Sequence, residues 1–167
     1  NQFAEQALEK GASAVVLDES IEGLEPCLIV SDGCQALGQL GAAHRCEFDL
    51  PVIAIVGSNG KTSTKDMLAS ILRAQFETLH SEASFNNAIG VPTTLLRLEL
   101  GHQVGVVEMG TNHPGELAPL IRMAGPQYGL FTGIGHEHLE HFGNLEGVVR
   151  EEGMLAELLP ASGKLFL

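Results

Sequence analysis

The chain has 167 residues, 44% of them hydrophobic, and a formal net charge of −12 from 9 basic against 21 acidic residues. That is enough for one core and part of a second, and the acidic surplus argues against nonspecific binding to nucleic acid or to anionic membranes. No apolar run approaches the roughly twenty residues of a membrane span, no basic-then-apolar leader opens the chain, and Cys27, Cys34 and Cys46 lack C-x-x-C spacing, as expected of reduced thiols in a cytoplasmic protein.

In chain order, Phe3, Ala4, Ala7 and Leu8 predict a helix at the start. Strands follow over 14–17 and 27–30, then a helix over 33–45. The helical pattern begins without a cap or a start methionine, and Lys164-Leu165-Phe166-Leu167 reads as a strand just opening, so a piece of a longer chain is expected. No cluster in 1–48 suggests catalysis. Asp49-Leu50-Pro51 is the expected domain boundary, because proline ends the preceding pattern.

Val52-Ile53-Ala54-Ile55-Val56 is a β-branched, apolar run that predicts a buried parallel strand. Gly57-Ser58-Asn59-Gly60-Lys61-Thr62-Ser63 follows and leads into a helix over 62–75, with Met67, Leu68, Ile71 and Leu72 as its expected apolar stripe. Strand, glycine turn and helix in that order form the context of a phosphate-binding loop. The glycines let backbone approach an anion, and the helix start offers N–H groups and a positive dipole end. Lys61 is expected to reach the phosphates and Thr62 to ligate Mg²⁺. The usual leading glycine of such loops is replaced here by Ile55, which leaves a chance Gly-Lys-Thr turn as the alternative.

Beyond the loop, strands and helices alternate: a strand near 78–79, a helix opening at 90–92, a strand over 104–109, a helix over 114–123, a strand over 129–134 and a helix over 145–159. This predicts an α/β fold, a mostly parallel sheet with helices on both faces. Ligands of such sheets sit at the carboxyl ends of strands. The phosphate loop falls there, as do Glu108-Met109-Gly110-Thr111-Asn112 and the histidine-rich segment containing His136, His138 and His141. Glu108 ends an apolar strand, where a carboxylate needs a cation. A Mg²⁺ ligand is one reading, and a helix cap or surface salt bridge the other. Asn112 is expected to cap the helix that follows. For His136 and His141, solvated loop histidines remain an open alternative.

Gly57-Ser58-Asn59-Gly60-Lys61-Thr62, Ser63-Thr64-Lys65-Asp66, Phe85-Asn86-Asn87-x-Ile89-Gly90-x-Pro92, Glu108-Met109-Gly110 and Ile134-Gly135-x-x-His138-Leu139-Glu140-x-Phe142-Gly143 together resemble the Mur ligases, and among them the branch that adds D-alanyl-D-alanine. The resemblance covers nearly the whole chain. It implies that 1–48 is the C-terminal part of a small α/β, UDP-sugar-binding N-terminal domain. It makes 49–167 the N-terminal portion of the central ATP-binding domain. The implied activity joins D-alanyl-D-alanine to a UDP-N-acetylmuramoyl-tripeptide through an acyl phosphate, using ATP and Mg²⁺, by a cytoplasmic monomer in peptidoglycan precursor synthesis. A fragment of this extent is expected to be inactive alone.

By the same resemblance Gly57, Ser58, Asn59, Gly60, Lys61, Thr62 and Ser63 hold the nucleotide, and Thr62, Glu108 and His138 hold metal. Asn86 and Asn87 contact substrate, and Lys61, Glu108, His138 and Glu152 are catalytic. Glu152 stands where the family carries a lysine that becomes carbamylated. It is expected to supply an anion near a second Mg²⁺, against the alternative of an ordinary exposed helix acid. Rival functions are another ligase of the Mur and folylpolyglutamate superfamily, a nonligase phosphate-loop ATPase, and a noncatalytic nucleotide-binding module.

Overall fold

A computed structural model describes residues 2–135 and 139–167. The chain divides into two compact units, Asn1–Leu37 and Gly38–Leu167. The first holds a short helix α1 (Ala4–Glu9) and two parallel strands, β1 (Val15–Leu17) and β2 (Cys27–Ile29). Ala4, Val15, Leu17 and Leu24 form its small core.

Helix α2 (Gly33–Cys46) spans the division. Arg45 anchors its C-terminal end. Its Nε donates to the Ala124 carbonyl at 3.0 Å, Nη1 to Phe48 at 2.6 Å and Nη2 to Leu50 at 2.9 Å. The side chain is buried, and burial holds its pKa below the ordinary guanidinium value. A buried guanidinium must have its donors met, and here three backbone carbonyls meet them, fixing the end of α2 to the 38–167 unit.

That unit is a five-stranded parallel sheet in the order β4-β5-β3-β6-β7. Its elements are β3 (Val52–Val56), α3 (Lys61–Leu72), β4 (Thr78–His80), α4 (Gly90–Leu95), β5 (Val104–Glu108), α5 (Leu117–Ala124), β6 (Tyr128–Phe131), α6 (Leu139–Phe142), α7 (Leu145–Leu158) and β7 (Lys164–Phe166). The chain leaves β3 toward β4 on one side and leaves β5 toward β6 on the other. Right-handed crossovers in opposite directions put α3 on one face and α5 and α7 on the other. The topological switch point thus lies between β3 and β5, whose carboxyl ends adjoin in register, Ile55 opposite Glu108. A ligand crevice opens at such a point.

β5 is buried at all five residues, as a central strand must be. Val56, Val107, Met109, Val91, Leu95, Leu117, Ile121 and Leu155 share one core. The expected apolar stripe of α3 is corrected by the structure: Met67 and Ile71 are exposed. The inward face is Lys65 and Ala69, with Leu68 and Leu72 half-buried beside them. Helix α5 starts at Leu117 rather than 114, since 112–116 form a turn around Glu116. Short α6 falls within the segment expected to be a loop.

Replacing Arg45 with alanine is expected to lower stability by roughly 2–4 kcal/mol, because three carbonyls lose a charged donor in a buried site. Urea unfolding with an unchanged slope measures this, and a loss below about 0.5 kcal/mol would show that the arginine is incidental.

Candidate nucleotide and metal site

The phosphate loop joins β3 to α3. Gly57 has φ +120° and Gly60 φ +80°, backbone that side chains with a Cβ rarely adopt. A Cβ at Gly57 would lie 2.5 Å from Thr132 Oγ1 and 2.7 Å from the Gly133 carbonyl, so the position is closed to anything but glycine. Gly60 forms the N-cap of α3 without a side-chain cap, so the first N–H groups of the helix point out of the loop uncapped. A helix start of this kind suits an anion. Lys61 Nζ lies folded over this loop and donates to the Gly57 and Ser58 carbonyls.

Ser58 bonds to the backbone after β6. Its hydroxyl accepts from the Gly135 N–H at 2.8 Å and lies 3.2 Å from the Gly135 carbonyl, while its own N–H donates to Gly133. It ties the phosphate loop to the segment after β6.

Glu108 ends β5 at 1% exposure. Thr62 Oγ1 donates to its Oε1 at 3.1 Å and Asn86 Nδ2 donates to the same oxygen at 2.9 Å. Its Oε2 has no hydrogen-bond partner among the described residues, and Lys65 Nζ stands 3.9 Å away. Lys65, itself 1% exposed, donates to the Ala83 carbonyl at 2.6 Å and meets Asp66 Oδ1 at 3.2 Å. Thr62 and Lys65 are one helical turn apart and so address the two oxygens of one carboxylate. The alternatives of a helix cap or an exposed salt bridge do not describe this residue. A buried carboxylate oxygen left without a donor, beside a threonine hydroxyl at a phosphate loop, fits a hard divalent cation that takes oxygen ligands. Among the described residues no group of three or more His, Cys, Asp or Glu side chains could hold a metal ion. A Mg²⁺ site needs fewer, since phosphate oxygens and water complete it.

The other expected residues divide. The Asn86 backbone carbonyl also accepts the Gly110 N–H and so bridges the loop after β4 to the end of β5. Asn87 Oδ1 accepts from the Ile89 and Gly90 N–H groups, capping α4. Glu152 is 1% exposed and its Oε2 accepts the Gly57 N–H at 2.8 Å, which removes the reading of an exposed helix acid. His138 and His136 lie outside the described residues. Asn112 contributes its N–H to Glu116 Oε2 at 2.8 Å, so in this turn the glutamate is the acceptor. His113 and His141 stack with centroids 4.1 Å apart.

The residues the sequence reading passed over are Lys65 and Glu151. Each carried a signal: a charged residue at the buried phase of its helix, Lys65 with Ala69 in α3 and Glu151 with Val148 and Leu155 in α7.

These features define a phosphate-loop α/β domain with an acidic residue on the adjoining strand. The sequence signature of the Mur ligase middle domain matches residues 55–167, and the chain belongs to the Mur ligase family. It is 40% identical over 163 residues to the UDP-N-acetylmuramoyl-tripeptide–D-alanyl-D-alanine ligase of Escherichia coli (strain K12), covering 98% of this chain and 36% of that protein. It is 36% identical to the enzyme of that name from Bacillus subtilis (strain 168), covering 99% and 37%. The crystal structure of MurF from Acinetobacter baumannii superposes with a TM-score of 0.91 at 37% identity, covering 99% of this chain and 37% of that one. MurF ligase from Thermotoga maritima in complex with ADP gives 0.89 at 25% identity, covering 99% and 39%. The chain thus spans little more than a third of the length of these relatives.

Lys65→Met should destabilise the domain by roughly 3 kcal/mol, since a buried carboxylate loses its nearest cation and Ala83 its donor. Chemical denaturation reads this, and a change under 1 kcal/mol would mean that the pair is not coupled. A second expectation concerns pH. Partial burial alone would raise the pKa of Glu116, but the N–H groups of Asn112 and His113, the His113 ring and the Thr111 hydroxyl together hold it below its ordinary value. Its contribution is therefore present above the unfolded-state pKa and lost as pH falls through the lowered native value. Glu116 is about half exposed, so Glu116→Gln should remove under about 1 kcal/mol of the acid-side fall in stability. A pH series of melting curves for the two proteins gives the difference.

Proposed function

We propose that the full-length protein is an ATP-dependent ligase that joins D-alanyl-D-alanine to a UDP-N-acetylmuramoyl-tripeptide in peptidoglycan precursor synthesis. The observation that carries this reading is the placement of Glu108: buried at the switch point, held through one oxygen by Thr62 and Asn86, with the other oxygen 3.9 Å from Lys65 Nζ and without a hydrogen bond among the described residues. Identity of 36–40% over nearly the whole chain to ligases of that name supports the substrate assignment. The complex of a similar ligase with ADP supports the nucleotide.

In this reading the uncapped N–H groups at the start of α3 and the Lys61 ammonium bind the β- and γ-phosphates. Thr62, Glu108 and His138 would hold Mg²⁺, which supplies positive charge where two anions must meet. Phosphoryl transfer to the tripeptide carboxylate gives an acyl phosphate and ADP. Attack by the dipeptide amine then forms the amide and releases phosphate. Asn86 orients Glu108, and Asn87 holds the start of α4 beside it. Residues 1–48 belong in this reading to the UDP-sugar-binding domain and 49–167 to the central domain. In this reading the reaction takes place in the cytoplasm, as the family resemblance implies.

The test is phosphate release by the full-length protein with ATP, the tripeptide substrate and D-alanyl-D-alanine, each omitted in turn. Release that needs all three is expected, whereas release with ATP alone would favour a simple ATPase. Lys61→Ala should reduce the rate by at least tenfold, because about 1.4 kcal/mol or more of transition-state stabilisation goes with the charge. Retention of most of the rate would remove Lys61 from the phosphate site.

A further inference from the structure

The buried face of α7 is Val148, Glu151, Glu152 and Leu155, so two adjacent acids occupy core positions of an amphipathic helix. Glu151 is 7% exposed and Glu152 1%. Acids are rarely placed so deep unless they accept hydrogen bonds, and these two accept from two different loops. Glu151 takes the Gly115 N–H at 2.8 Å and the Leu117 N–H at 2.9 Å, both in the connection that follows Glu108. Glu152 takes the Gly57 N–H at 2.8 Å, the first residue of the phosphate loop.

Gly57 is confined on its other side as well. Thr132 and Gly133 leave no room for a Cβ there, and the next N–H, that of Ser58, donates to Gly133. The orientation of the Gly57 peptide sets the direction in which the following loop N–H groups point. An acceptor fixed on a packed helix therefore sets the aim of the anion site.

Resting on the ligase reading above, we propose that Glu152 is a positioning residue for the phosphate loop. It acts through an acceptor oxygen on the Gly57 N–H, and Glu151 holds the neighbouring loop after β5 in the same way. This assigns the acid a different task from the expected one of supplying negative charge to a second Mg²⁺. The two adjacent carboxylates register the nucleotide-binding loop and the Glu108 loop against one rigid helix, which is preorganisation of the kind phosphoryl transfer depends on.

The two tasks make opposite demands on substitutions. Glutamine keeps the length and one acceptor oxygen but loses the charge. Aspartate keeps the charge but withdraws it by one methylene. The experiment compares Glu152→Gln, Glu152→Asp and Glu152→Ala in the full-length protein. It reads ADP binding by calorimetry, KM for ATP, kcat, and the Mg²⁺ concentration at half-maximal rate. With a positioning role, Glu152→Gln stays within about twofold of wild type, while Glu152→Asp and Glu152→Ala weaken ADP binding and raise KM for ATP by about tenfold, a loss of one hydrogen bond to a charged group. The Mg²⁺ midpoint is then the same in all. If Glu152→Ala does not fold, the order of the glutamine and aspartate variants still decides. Aspartate outperforming glutamine, with the glutamine variant needing more Mg²⁺, would overturn the proposal in favour of charge at the metal. Glu152→Ala binding ADP like wild type would overturn it outright. Wild-type protein that binds no ADP would overturn the ligase reading and this inference with it.

Discussion

The structure depends on the burial of one carboxylate. Glu108 lies at 1% exposure at the end of a fully buried strand, where an ionised group is tolerated only with compensating donors and cations. The surroundings are arranged to supply them. Thr62 and Lys65 come from the first two turns of α3, Asn86 from the loop after β4, and Ser81 Oγ receives the Glu108 backbone N–H. Two segments distant in sequence, the start of α3 and the connection after β4, are thereby fixed to the end of β5. One oxygen remains without a hydrogen bond among the described residues, and that is the feature a cation would satisfy.

A second constraint is that the loops at the carboxyl edge of the sheet are short of structure of their own. They are held by side chains that reach across to their backbone and by one backbone bond between loops. Ser58 exchanges hydrogen bonds with Gly135, Asn86 accepts from Gly110, Asn87 caps α4, and Glu151 and Glu152 on α7 accept from the loops after β5 and β3. Backbone polar groups withdrawn from water need such partners. The result is a rim whose loops are tied to the sheet and to α7 by hydrogen bonds, so that its N–H groups are oriented by the fold itself.

Much of this rim was legible in residue order. The run 52–64 reads as strand, glycine turn and helix because β-branched residues, glycines and helix formers follow one another there, and the structure places β3, the loop and α3 accordingly. Glu108 was legible because a carboxylate closing an apolar strand calls for a cation. The helix phase of α3 was misread. Met67 and Ile71 looked like the core stripe by hydrophobicity alone, whereas Lys65 takes the inward position because Glu108 and the Ala83 carbonyl are waiting for it. Hydrophobic periodicity has no term for a buried charge whose partner lies 43 residues away in sequence, at Glu108.

The sequence by itself determined the alternation of strands and helices, the phosphate loop and the family, since these rest on local order and short spacings. Only the tertiary structure decided which polar residues face the crevice and which hold it in shape. Ser58 and Asn87 read as ligand contacts in the sequence and are found bonded to neighbouring backbone, while Glu151 and Lys65 carried no assigned role and are found buried at the rim. The physical reason is that a polar side chain's task is set by the donors and acceptors within about 3 Å of it. In a parallel sheet those come from other crossovers, brought together by topology rather than by sequence neighbourhood.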